Sequence, residues 1–339
     1  MRFLRAKTEK GLTQNKEHSP AGGEEPVDFL AAGPPMPLRH PGRWVASCFV
    51  VLLLAWFVYT CVHNPNFQWP TVARYLFSPE ILRGVLVTIQ LTASAMCIGI
   101  ALGITAALMK LSDNRLLSSV AQLYIVGFRA TPALVQLIFW FNLAALFPTI
   151  TLGIPFVGPD FATLNANAII TPMVAANLGL GLCEGAYMAE IVRSGIQSVD
   201  AGEGEAAAAV GMTRRQAMWH VILPQALRVI VPPTGNEVIA MLKYTSLASV
   251  ISVTELLSSA ELIYTRTFET IPLLIVVSIW YLALTTLLTV VQLGIERRLG
   301  RSHGTQAAQG WAFFRGALAA NLFRPRARAV TRRGEKGIT

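Results

Sequence analysis

Apolar residues come in long blocks along this chain. Six of them approach or exceed the roughly 20 residues that a helix needs to cross a hydrocarbon core. They cover residues 44–62, 84–109, 116 to about 147, 168–196, 229–253 and 271–295. The first, second and sixth hold no charged residue. The third contains Arg129, the fourth Glu184, Glu190 and Arg193, and the fifth Glu237 and Lys243. Polar pieces separate the blocks: a linker around Asn64, Pro65, Asn66 and Pro70, a turn at 111–115, and a loop or re-entrant piece at 148–160, marked by Gly153, Pro155, Gly158 and Pro159. The pattern predicts an all-α fold, a polytopic membrane helix bundle of about six transmembrane helices.

One polar, helix-prone stretch, residues 202–233, interrupts this order between blocks four and five. Gly202, Glu205, Ala206 and Ala207 open it with small residues that let another surface approach. Gly211 stands where a helix can end, because glycine takes the left-handed backbone of a C-terminal cap cheaply. Met218, Val221 and Ile222 follow at spacings that share a helix face, and Pro224 is expected to stop or kink that helix. The stretch predicts a helix–turn–helix knob carried between two spans, shaped to fit a socket on another protein.

Glu205-Ala206-Ala207, Gly211 six residues after the Glu, and Val221, Leu223 and Pro224 resemble the coupling motif of membrane subunits of binding-protein-dependent ABC importers. That family more often has Ile where Val221 stands. Further stretches resemble its branch for polar amino acids: Arg129-x-Thr131-Pro132-x-x-x-Gln136, Gly185-Ala186-Tyr187-x-Ala189-Glu190-x-x-Arg193, Leu223-Pro224-Gln225-Ala226-Leu227-Arg228, Asn236-Glu237, and Leu242-Lys243-x-Thr245-Ser246-Leu247. The likeness covers about residues 80–297. It implies a permease core at 80–298, preceded by a cytoplasmic tail (1–43) and an extra transmembrane helix with an external linker (44–79), and followed by a basic cytoplasmic tail (299–339). It also implies the partners: two copies of an ABC ATPase on the coupling helices, a second permease subunit (identical or related), an extracytoplasmic solute-binding protein, and an amino acid as cargo. ATP and Mg would sit on the ATPase, with no cofactor on this chain.

Composition agrees with a bilayer as solvent, since 53% of the 339 residues are hydrophobic and 14% charged, against about 25% charged in soluble domains. The net charge of +9 acquires meaning from its placement. With the tails and knob inside, 23 of the 28 Lys and Arg are cytoplasmic: seven in the N-tail, Lys110 and Arg115 at the first turn, four around the knob and ten from Arg297 onward. This is the positive-inside bias of a multi-pass protein of the cytoplasmic membrane, with both termini cytoplasmic, rather than a nucleic-acid surface. The N-tail reads as disordered and is too long for the charged start of a secretory signal, so the block at 44–62 is expected to stay as an anchor. In the C-tail, Trp311, Phe314, Leu318 and Leu322 recur at helical spacing, which fits either an interfacial helix or a disordered basic tail.

Cys48, Cys61, Cys97 and Cys183 lie in apolar runs without a C-x-x-C pair and read as small buried hydrophobes. The histidines show no metal spacing, and no G-x-x-x-x-G-K-[ST] loop occurs, so nucleotide hydrolysis is assigned to a partner and the chain itself to transport.

A charge at a helix centre in a bilayer costs about 2.5–3.5 kcal/mol on insertion scales. Arg129, Glu184, Glu190, Glu237 and Lys243 should therefore face protein or water. Glu190 and Arg193 are spaced to pair on one helix. Glu237 and Lys243 diverge by about 120° and should seek separate partners. A zwitterionic solute wants a cation and an anion, and broken helices offer dipoles, with Thr131-Pro132, Pro172 and Pro232-Pro233 as possible break points. Arg129, Glu184, Glu237 and Lys243 are therefore candidates to line a solute pathway, and the resemblance adds Thr131, Gln136, Thr245 and Ser246 to them. The alternative is that the charges only fix helix packing. An ion-driven carrier using intramembrane Glu, a membrane enzyme and a passive scaffold are the rival functions. The first requires transport by this chain alone, the second a spaced His cluster, and the third spans free of costly charge.

Overall fold

A computed structural model describes residues 41–153 and 160–299. The tails expected outside these limits, and part of the 148–160 stretch, lie beyond the described residues. Two units are described separately, divided after His63. The first contains α1 (Pro41–His63), whose side chains from Val45 onward are exposed or nearly so around the whole circumference. An apolar helix of this length, about 35 Å at 1.5 Å per residue, is at rest in lipid.

The second unit begins where a linker was expected and proves folded at once. Asn64 Oδ1 accepts from Asn66 N at 3.0 Å and starts a 3₁₀ turn, Pro65–Phe67. Helix α2 (Trp69–Leu76) follows, then α3 (Pro79–Lys110), capped by Ser78 with Pro79 in its first turn. Val72 of α2 is buried with Ile81 and Val85 of α3. Tyr75 and Leu76 share the inward face at helical spacing. The Asn and Pro residues thus cap helices rather than keep the segment loose.

The third block is a bent pair. Helices α4 (Arg115–Ala130) and α5 (Ala133–Phe141) meet at 103° around Thr131-Pro132. A residue preceding proline disfavours helical backbone, and Thr131 is extended (φ −101°, ψ 133°). Beyond α6 (Leu143–Leu146), the expected loop begins and ends as an antiparallel hairpin, β1 (Thr149–Gly153) with β2 (Asp160–Asn165), and α7 (Ala166–Ile169) follows.

Helix α8 (Pro172–Gln197) is the centre of the bundle. Pro172 sits in its first turn and begins the helix, with Thr171 as cap. Gly99 and Gly103 of α3 face Glu184 and Met188, while Gly181 and Gly185 face Ile98 and Leu102. A Cβ built on Gly99 would fall 2.5 Å from Glu184 Cγ, and one on Gly181 2.7 Å from Ile98 Cγ2. Paired Gly-x-x-x-Gly surfaces let helix backbones approach closely, the main route to packing where lipid removes the hydrophobic driving force.

After α9 (Ala201–Ala209) and α10 (Arg214–Ala217) comes a π-helical turn, Met218–Ile222, running directly into α11 (Leu223–Tyr244). Pro224 therefore neither stops nor ends the helix. Leu223 N–H reaches back five residues to Met218 O, and this wider turn accommodates a ring that lacks a donor and would clash in regular α-register. Pro232 and Pro233 also lie inside α11 without ending it. The fifth block then passes through a 3₁₀ segment (Thr245–Ile251) and bends by 46° into α12 (Leu256–Thr267), and α13 (Thr270–Leu299) closes the described chain. α12 and α13 complete the first core, with Leu256, Ala260, Leu273 and Val276 buried beside Val72.

Among the described helices, α1, α3 and α13 are long and apolar enough to cross a membrane alone, and two bent pairs pass the same measure as units. α8, about 39 Å long, carries Glu184, Glu190 and Arg193 but spends much of its surface on protein: Leu91 and Leu137 pack with Ala176 and Leu180, and Ala107 packs with Met188 and Val192. The cysteines depart from the expected burial. Cys48 and Cys97 are exposed, and Cys61 and Cys183 half-buried, because a thiol needs no cover from an apolar solvent.

Candidate functional site

The knob is assembled from local rules. Asp200 Oδ1 accepts from Gly202 N at 2.9 Å and caps α9. Gly211 closes it at φ +82°, with Met212 N donating to Ala207 O and Gly211 N to Ala208 O, both at 3.0 Å. These two bonds satisfy carbonyls that a helix end leaves open. Thr213 and Gln216 then form a reciprocal capping box that starts α10. The second arm of the knob is therefore the leading end of α11.

Its surfaces divide cleanly. Ala207 and Ala217 are buried within the chain, while Glu205, Ala206 and Gly202 remain exposed. Met218, Val221, Ile222 and Leu223 are half-buried, and Pro224 is exposed. Beside Ala206, three apolar side chains stand in the open: Val210 (75% exposed), Met212 (39%) and Trp219 (58%). The motif did not include them. The signal that finds them is apolar residues next to a turn in an otherwise polar stretch. Arg214 lies 3.7 Å from Asp113, both almost fully exposed. Such a pair adds little stability, but it puts the α3–α4 turn and the knob on one side of the bundle.

Further along, the intramembrane candidates gather on neighbouring helices. Arg129, in the last turn of α4, stands 5.3 Å over the ring of Tyr187 of α8, within the range of a cation–π contact. Tyr187 is in turn within electrostatic reach of Glu237 and Tyr244 of α11, and Glu184 within reach of Glu237. Glu184 is 3% exposed, and its Oε1 has no hydrogen-bond partner among the described residues. Glu190 pairs with Arg193 at 2.6 Å, and Arg193 also donates to Gln197 at 2.5 Å. Glu237 and Lys243 do not pair with each other; Lys243 is exposed at the end of α11.

The remaining candidates serve the backbone. Thr131 Oγ1 donates to Gly127 O at 2.8 Å. Gln136 Nε2 donates to Phe128 O and Thr131 O, both at 2.9 Å, and so bridges the break between α4 and α5 from a buried position. Thr245 is buried with its hydroxyl on Leu242 O, and Ser246 bonds Lys243 O.

A second polar node escaped sequence reasoning. Glu255 is fully buried at the start of α12 and accepts from Leu257 N (2.9 Å), Ser258 N (2.8 Å) and Tyr281 Oη (3.0 Å), while Leu256 N donates to Thr88 Oγ1. Gln292 of α13 likewise donates to Pro232 O, Asn236 Oδ1 and Glu296. A Glu just past one apolar run and a Gln inside another are their sequence traces. Among the described residues, no three His, Cys, Asp or Glu side chains gather into a metal-binding group.

Residues 99–301 match the family described as binding-protein-dependent transport system inner membrane component. The arginine transport system permease protein ArgU of Corynebacterium glutamicum is 46% identical over 263 residues, covering 77% of this chain and 81% of ArgU. The L-cystine transport system permease protein TcyB of Bacillus subtilis is 37% identical, covering 66% and 88%. Among solved structures, an amino acid ABC transporter with histidines superposes with a TM-score of 0.56 at 35% identity, over 66% of this chain and 95% of that one. The inward-facing MetNI methionine ABC transporter shares the fold, with a TM-score of 0.54 at 18% identity. The family match takes in the whole of α8, the knob and α11 to α13, and on that extent the chain belongs to the binding-protein-dependent transport system inner membrane components.

Proposed function

We propose that this protein is the membrane-spanning subunit of an ATP-driven importer of amino acids, a multi-pass protein of the inner membrane with knob and termini in the cytoplasm. The core at residues 80–298 forms the pathway together with a second permease subunit. Two ATPase subunits carrying ATP and Mg dock on the knobs, and an extracytoplasmic binding protein delivers the solute. Polar amino acids are the substrate class, and arginine is the first to test because the 46% identical relative is named for it.

The observation that carries this reading is the knob's attachment. Glu205 and Ala206 are exposed among the described residues, yet the knob's second arm is continuous with α11, on which Glu237 and Lys243 lie. A push on the knob is thereby a push on a rod of about 46 Å that reaches the intramembrane charges. ATP binding draws the ATPases together, the knobs follow, and the helices rock between outward- and inward-open arrangements as rigid bodies. The test is ATP hydrolysis by the purified complex before and after arginine-loaded binding protein is added. Stimulation is expected, and hydrolysis indifferent to the binding protein contradicts the reading.

A further inference from the structure

Resting on the coupling role just proposed, we infer that the π turn at Met218–Ile222 is the compliant joint that sets the rotation of the knob against α11, and that His220 is a positioning residue that holds it. Three observations meet at this turn. It is the one place where the rod from Arg214 to Tyr244 leaves α-geometry among its described residues, and it lies within the knob's second arm, between α10 and α11. Pro224 follows the turn with one residue between and has no N–H to offer the carbonyl four residues back, so one α-register bond is missing there. His220 Nδ1 donates to Gln216 O at 3.0 Å, adding a side-chain bond on the N-terminal side of the turn, while Leu223 N–H holds its C-terminal side through Met218 O.

The consequence is mechanical. A π turn takes more residues per turn than an α turn, so the knob's exposed face is rotated relative to α11 from where an uninterrupted α-helix would leave it. The turn is also exposed at Trp219 and His220 and only half-buried at its other positions, the condition for local opening at low cost. Force from the knob therefore meets its softest point just before the span, and the His220 bond limits how far that point yields.

The experiment compares His220→Ala, which removes the donor, with His220→Asn, whose side-chain amide can donate from nearly the same position. Both are measured in the complete reconstituted complex for solute transported per ATP hydrolysed. Both are also followed by hydrogen exchange at the amides of Trp219 to Leu223. His220→Ala should exchange faster there and lower the transport-to-hydrolysis ratio by about fivefold, the smaller end of typical coupling effects. His220→Asn should restore both, and unstimulated hydrolysis and assembly should match the parent in each. An unchanged ratio in His220→Ala, or an Asn variant as defective as the Ala variant, overturns the proposal. If the parent complex itself shows no ATP-coupled transport, the assigned function fails. The exchange comparison still decides whether His220 holds the turn: equal exchange in His220→Ala and the parent overturns that role.

Discussion

Gly211 shows how much one dihedral decides. A Cβ added there would meet no atom within 4 Å, so a larger residue is resisted by the backbone alone, at roughly 1–2 kcal/mol for a left-handed L-residue. Gly211→Val should insert and assemble normally but lose binding-protein-stimulated hydrolysis, because the two arms no longer meet at the same angle. Gly211→Asn, which tolerates that region better, should keep most of it. Gln136 is the opposite case, buried and fixed by contacts. Gln136→Leu leaves the Phe128 and Thr131 carbonyls without their donor, and such a loss typically costs about 1–3 kcal/mol. Thermal unfolding of the purified protein in detergent should show a lower midpoint, and an unchanged midpoint would mean the bridge contributes nothing. Gly211 was legible in the sequence because left-handed helix ends select glycine. The bridging role of Gln136 was not, because it depends on a bend whose angle no local rule supplies.

At the scale of elements, apolar length located every long helix, since a bilayer imposes a single thickness on whatever crosses it. Deviations came where protein, not lipid, is the neighbour. α2 reads as a linker in the sequence because its apolar face is only Val72, Tyr75 and Leu76, too little to stand out among Asn and Pro. Of the two outcomes expected at Pro224, a stop or a kink, the stop does not occur, because proline rules assume α-register and a π turn escapes them. α8 is polar for a span because its partners are glycines of α3 and side chains of α4, α5 and α11. That packing gives a sharp expectation. Gly99→Leu, forced against Glu184, should abolish stable protein in the membrane fraction, an overpacking penalty of at least about 1–3 kcal/mol. The same change at Gly294, where a Cβ meets nothing within 4 Å, should be tolerated.

At the scale of the whole molecule, the proposed topology puts the knob, the α3–α4 turn and both tails in one compartment on the strength of the Lys and Arg distribution, and the Asp113–Arg214 contact agrees for the two pieces it joins. Single cysteines at Glu205 and at Asp113 should react with a membrane-impermeant thiol reagent only in inside-out vesicles. The helical fold and the helix–turn–helix shape of the knob were readable from residues alone because both rest on short-range patterns. The gathering of Arg129, Tyr187, Glu184 and Glu237 was not, because it joins three helices far apart in the chain. Uptake of labelled arginine into proteoliposomes tests the central claim most directly. Accumulation should appear only with the ATPase subunits and binding protein present and ATP supplied on the knob side; accumulation by this chain alone, with no nucleotide, would contradict it.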